Sequence, residues 1–429
     1  MGELSLSADG RWMSLIALSS ASEYTVHTVQ LQQVISTWIP QYNGDSRYPE
    51  ATLKYLGMEM GFRNTAYQRP SHASLSTVAH TFCYNIAFIM PQPAIALPPS
   101  ITFDCVRLDT KPTACLEYSQ VESIGQSGCS DILVVFLNGL IAPQSFWLPV
   151  MALMLRRLSI ADTGTNSAAS RPQMLAYDRY GQGRTIDRDP SDSDEGKEEG
   201  YGHDTLDVVR DLHQLITQTT QRPDNQPKRI MFVANSIGCA IARLYAQQYP
   251  GTVAGMLLLD SIMANSDFVS IFPDPSSPDF DPGSLPQDVT PEMLYETRKK
   301  FRDVFHPSVK NPEGLDRRNL ATLLPDADKP FLDQGFAEEP PFLTVVGHDP
   351  DWFARESLQG SMETPISISM NYTNPTWHRY NEGLTRLTSP AKSLGPIIAK
   401  NCGHFVQRDD PGFVAELACK ILGTIVGDS

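Results

Sequence analysis

From residue 101 onward, short apolar runs alternate with stretches whose apolar residues recur every three or four positions. Segments 103–108 and 115–121 predict short strands, and the unbroken apolar run 132–137 predicts one buried on both faces. A helix over 145–157, a loop over 162–170 and a strand over 173–178 follow. Leu206, Val209, Leu212 and Ile216 then mark one face of a helix. A strand over 229–233, a helix over 237–249 and a strand over 255–259 continue the alternation, and strands 342–346 and 396–399 with a helix over 412–422 close it. The pattern predicts an α/β fold with a mostly parallel central sheet and helices on both faces.

Two segments break the pattern. Residues 261–340, rich in Pro and Asp with helical patches at 291–304 and 317–324, are too long for a connection and read as an inserted subdomain. Phe268, Phe272, Leu294 and Phe301 are expected to line an apolar pocket where this insertion covers the C-terminal edge of the sheet. Residues 1–100, with an amphipathic stretch at 26–38 and a Pro-interrupted one at 86–97, read as an accessory segment. The expected division is therefore 1–100, a first core part 101–260, the insertion 261–340 and a second core part 341–429.

Composition narrows the function. With 41% apolar residues in 429, a sizeable core is available. The 34 basic residues against 49 acidic ones, a formal charge of −15, exclude general nucleic-acid binding, which needs a basic face. No run reaches the roughly 18 apolar residues of a membrane-spanning helix. Residues 1–20 lack the basic start and apolar core of a secretory signal. The seven cysteines (Cys83, Cys105, Cys115, Cys129, Cys239, Cys402, Cys419) are scattered without metal-ligand spacing and read as reduced thiols of a cytoplasmic protein. The acid-rich stretch 187–199 reads as a solvated surface insertion. No metal, and no organic cofactor, is implied.

Candidate chemistry begins at Ala234-Asn235-Ser236-Ile237-Gly238, between a predicted strand and helix. A turn this tight strains its middle residue, tolerates only small neighbours two positions away, and lifts the Ser236 hydroxyl to the positive end of the helix. Serine needs a base to become a nucleophile. His404, after Gly403 and just beyond the last strand, is the candidate, at the sheet edge where α/β proteins bind ligands. His203, His213 and His306 are weaker, and His348 and His378 lie near the right region but are set aside for want of the same Gly-His strand-end setting. A carboxylate must orient the base. Asp260 supplies one at the end of strand 255–259, and Asp349 or Asp351 supplies another after strand 342–346. Backbone N–H groups of Ile237 and Leu140 are the expected oxyanion donors, Gly139 allowing close approach of the second.

Together, Asn138-Gly139-Leu140, Asp178-Arg179-Tyr180-Gly181-Gln182-Gly183, the turn around Ser236, Leu259-Asp260-Ser261 and Gly403-His404-Phe405-Val406-Gln407 resemble the α/β-hydrolase superfamily over about 101–422. The resemblance implies an α/β-hydrolase fold, with the insertion as its lid. Trp377, Tyr380, Leu384 and Leu387 resemble a subgroup whose acid follows the sixth strand, which favours Asp260 over Asp349 and Asp351. Asn138 stands where relatives often carry His, and Ala234 where they carry Gly. A weaker resemblance is to hydrolases of fungal specialised-metabolite pathways. The expected function is a serine hydrolase acting on an ester, lactone or thioester of a moderately large apolar small molecule. The same triad serves an acyltransferase or cyclase. A catalytically silent binding protein on the fold would normally lack a triad member, and none is missing.

Overall fold

In a computed structural model of the chain, the structure describes residues 4–6, 13–15, 97–125, 128–161, 170–220 and 229–428. The chain divides into two units, 1–67 and 68–429. The described part of the first is one antiparallel pair, β1 (Leu4–Leu6) and β2 (Met13–Leu15). The amphipathic stretch 26–38 and all but the last residue of 86–97 lie outside the described residues, as does most of the loop 162–170.

The second unit is built on β3 (Thr102–Leu108), β4 (Lys111–Val121), β5 (Ile132–Leu137), β6 (Gln173–Tyr177), β8 (Arg229–Asn235), β9 (Val253–Leu259), β11 (Phe342–His348) and β12 (Ser393–Ala399). The short β7 (His203–Asp204) and β10 (Leu315–Asp316) pair separately. The sheet order is β12-β11-β9-β8-β5-β6-β4-β3, parallel from β12 to β6 and antiparallel at β6-β4 and β4-β3. All six β5 residues are fully buried because helices cover both faces. Leu133, Val135 and Leu137 face one core with the helices Thr205–Thr219 and Ile237–Gln248 and the insertion. Ile132, Val134 and Phe136 face the other, against the helices Leu148–Ala161 and Pro411–Gly427. Period-two alternation thus divides the core in two. Among the described residues no helix is long and apolar enough to cross a membrane.

Two expectations change. Cys105 and Cys115 are not free thiols but a disulfide, with Cα atoms 5.9 Å apart. The antiparallel register sets Cys105 opposite Glu117, so Cys115, two residues along, points to the same face. The acid-rich stretch is not solvated throughout either. Asp189 is buried, 2.5 Å from Lys111 Nζ, which also meets Asp211 at 2.6 Å. Asp192 lies 2.7 Å from buried His203. Those acids are drawn inward by two basic groups that need partners.

Within the insertion, the helix Pro291–Val304 packs Phe301 edge-on against Phe272 and beside Phe305. Phe268, Phe272, Leu294 and Phe301 are all buried in this packing. Phe268 also meets Trp377, whose ring lies 5.2 Å from that of His404.

Candidate active site

Parallel strands bring the C-terminal ends of β5, β8, β9, β11 and β12 to one edge, where the candidate side chains converge. Ser236 follows β8 and caps the helix Ile237–Gln248 with φ 57° and ψ −123°. That left-handed backbone is costly for a residue with a side chain, and the surroundings hold it in place. Its N–H donates to Leu259 O (3.2 Å) and its carbonyl accepts from Ile262 N (3.1 Å). A Cβ at Gly238 would lie 2.5 Å from Leu137 O, so the helix can start this close to β5 only with glycine there. Ala234, the departure from the usual glycine, is accommodated fully buried.

His404 lies in the loop beyond β12. Its Nδ1 is 2.6 Å from Asp260 Oδ2, its sole side-chain hydrogen bond among the described residues. The loop is tied to the elbow by Asn235, whose amide donates to His404 O (2.9 Å) and Leu259 O (3.0 Å) while accepting from Gln407 Nε2 (3.1 Å). Ser236 and His404 are not hydrogen-bonded to each other, and contacts of this kind often tighten only when substrate binds. Asp349 and Asp351 are elsewhere. Asp349 caps the helix Pro350–Gln359, accepting from Asp351 N and Trp352 N, and its other oxygen accepts from Asn401 N. Asp351 is exposed.

Asp260 is fully buried with φ 41°. Burial alone would raise its pKa, but His348 and then His404 hold the carboxyl well below the usual range. Contrary to the expectation from sequence, His348 does sit at a strand end after Gly347, closing β11. Its Nδ1 is 2.8 Å from Asp260 Oδ1, and its backbone N–H donates to the same oxygen.

The loop after β5 approaches Ser236 closely: a Cβ on Gly139 would lie 3.2 Å from Ser236 Cβ. Asn138 stays out of reach of the serine, donating to Tyr177 O and Gln182 and accepting from Trp147 Nε1. The Gly139 carbonyl accepts from Arg179 (2.8 Å) and Gln182 (2.9 Å). Because a trans peptide points its N–H opposite its C=O, this anchoring turns the Leu140 N–H away from Arg179. Neither that N–H nor Ile237 N–H has a hydrogen-bond acceptor among the described residues. Arg179 is itself paired with Glu313, a fully buried carboxylate of the insertion, which also accepts from Ile141 N and Gln182. A lone acid in a Pro-rich segment gives no sequence signal of this contact.

A family model described as "Alpha/beta hydrolase family" matches residues 134–417. Similar solved structures include a lipase described as putative from Acinetobacter baumannii, 14% identical, covering 85% of this chain and 100% of its own with a TM-score of 0.42. A peroxisomal α/β-hydrolase from Saccharomyces cerevisiae is 13% identical over 77% of this chain and 91% of its own, with a TM-score of 0.44. A haloalkane dehalogenase from Bradyrhizobium elkani is 16% identical over 77% and 100%, with a TM-score of 0.41. No curated protein matches.

Proposed function

The chain belongs to the α/β-hydrolase family, and from that premise we propose that it is a serine hydrolase with Ser236 as nucleophile, His404 as general base and Asp260 as the orienting acid. The observation that carries this reading is the 2.6 Å contact between His404 and Asp260 at the strand edge where Ser236 stands in a strained elbow. Ser236 Oγ attacks the substrate carbonyl and its proton passes to His404 Nε2, while the Nδ1 proton stays bonded to Asp260. The N–H groups of Leu140 and Ile237 receive the oxyanion. Collapse expels the leaving group with the proton from His404. Water, deprotonated by the same imidazole, then clears the acyl-enzyme. A hydroxyl at the elbow, rather than a carboxylate, favours acyl transfer over epoxide or haloalkane opening.

The substrate class is an ester, lactone or thioester of a moderately large apolar small molecule. Support comes from the rings of Trp377 and Phe405 around His404, with Phe146 behind Phe405. Residues 261–340 act as the lid, a role supported by the Glu313 and Phe268 contacts toward the site. We extend the reading to specialised metabolism on the sequence resemblance. A fluorophosphonate probe tests the assignment. Wild type should be labelled at Ser236 and Ser236→Ala should not, and undiminished labelling of the variant would overturn it.

A further inference from the structure

The Asp260 carboxylate meets two histidines, one on each oxygen: His404 on Oδ2 and His348 on Oδ1. The second imidazole is buried, with its other nitrogen, Nε2, 3.1 Å from Asn374 Oδ1. Asn374 is oriented by its own neighbour, since its Nδ2 lies 2.9 Å from the Pro350 carbonyl. A flipped amide would set two oxygens against each other there, so Oδ1 is the atom facing His348. Both His348 nitrogens therefore face obligatory acceptors, a carboxylate and an amide oxygen. A neutral imidazole carries one proton and would leave one of these contacts lone pair to lone pair. Only the imidazolium satisfies both.

We propose that His348 is held as an imidazolium on Asp260 and is a positioning residue for His404. It fixes which carboxylate oxygen the general base meets and offsets part of the negative charge that faces that base. The proposal rests on the serine-hydrolase reading for its consequence, though not for the protonation state. The groups around His348 agree with it. Asp260 faces it from the end of β9 and Asp349 lies next in the chain, while Phe353 stacks on the ring at 4.3 Å and Trp377 meets it edge-on. Among the described residues, the other group paired with this carboxylate is His404, on its second oxygen. Burial presses the His348 pKa down, but the Asp260 charge and hydrogen bond, with Asn374 and Asp349, carry it above the ordinary histidine value. Before attack, a fully charged Asp260 draws a proton toward His404 more strongly than one shared with a second cation. The His348 cation opposite weakens that pull.

The test uses the full chain labelled with ¹⁵N-histidine. At pH 7.5 both His348 ring nitrogens should resonate as protonated, the signals being assigned by their loss in His348→Gln. If that variant does not fold, Asn374→Asp, which keeps an acceptor at Nε2, supplies the assignment by shifting those signals. A lone pair on either nitrogen would overturn the proposal. The second readout is the pH dependence of fluorophosphonate inactivation. Folded His348→Gln keeps a neutral donor to Asp260, and the acid limb of its rate should move up by about one pH unit. An unmoved limb would overturn the positioning role. Failure of wild type to label would overturn the serine-hydrolase reading, and the role toward His404 with it, whatever the nitrogen shifts show.

Discussion

At the scale of single residues, the carboxylate that orients a base and one that merely caps a helix make different demands. Asp260→Asn should cut turnover on the order of 10⁴-fold, because the amide cannot enforce the imidazole tautomer, and should also lower the melting temperature by leaving buried His348 without its carboxylate. Asp349→Asn should retain most turnover, and Asp349→Ala should lose about 1 kcal/mol of stability with the cap. Rates of fluorophosphonate labelling beside thermal melts distinguish the two. Comparable loss of labelling in both Asn variants would contradict the assignment of Asp260. Ser236, Asp260 and His404 are legible as candidates because each sits in a strand-end sequence whose geometry is local. Choosing Asp260 over Asp349 needed the resemblance as well, since both follow strands. His348 carried the same Gly-His signal as His404. What distinguishes them is which oxygen of one carboxylate each meets, and that is tertiary.

At the scale of elements, the insertion reaches the loop after β5 through Glu313. Glu313 balances Arg179, and Arg179 with Gln182 holds the Gly139 carbonyl that sets the direction of Leu140 N–H. Glu313→Ala should strand a buried guanidinium and cost about 3–5 kcal/mol. Replacing both partners, Arg179→Met with Glu313→Leu, should recover much of that stability, because well-packed apolar side chains often substitute for a buried ion pair. It should not recover rate. Labelling of Ser236 should remain on the order of tenfold or more below wild type, since a guanidinium is still missing from the loop. Recovery of both together would show that the pair serves stability alone. The strands of the sheet were readable from apolar runs. The Glu313 contact and the Cys105–Cys115 bridge were not, because they depend on where a loop lands and on an antiparallel register.

At the scale of the whole molecule, the buried charged groups give stability a pH dependence with a defined sign. His348 and His203 have pKa values raised in the fold, after burial is outweighed by Asp260 for the first and by Asp192 for the second. Their contributions are therefore complete below about pH 6.5, the unfolded histidine value, and are lost as pH rises through the folded values. Asp260, lowered, contributes above the ordinary carboxylate range and loses that contribution only in acid. His213, lowered by its burial and stacked 3.7 Å from Tyr249, works in the opposite sense. The two raised histidines should dominate, so scanning calorimetry should give a lower Tm at pH 9 than at pH 6.5. His348→Gln should shrink that difference. A Tm that rises over the interval would contradict the charge assignment.

Asp260 and His404 stand 144 residues apart in the chain, and Asn235 and the His404 carbonyl it holds stand 169 apart. The proposed nucleophile is thus written into the polypeptide long before its proposed base. On a translating ribosome, a chain halted between Ser236 and β12 carries the serine without His404, the base proposed for it. On the proposed reading, acyl transfer waits until the last strand docks and brings His404 to Asp260.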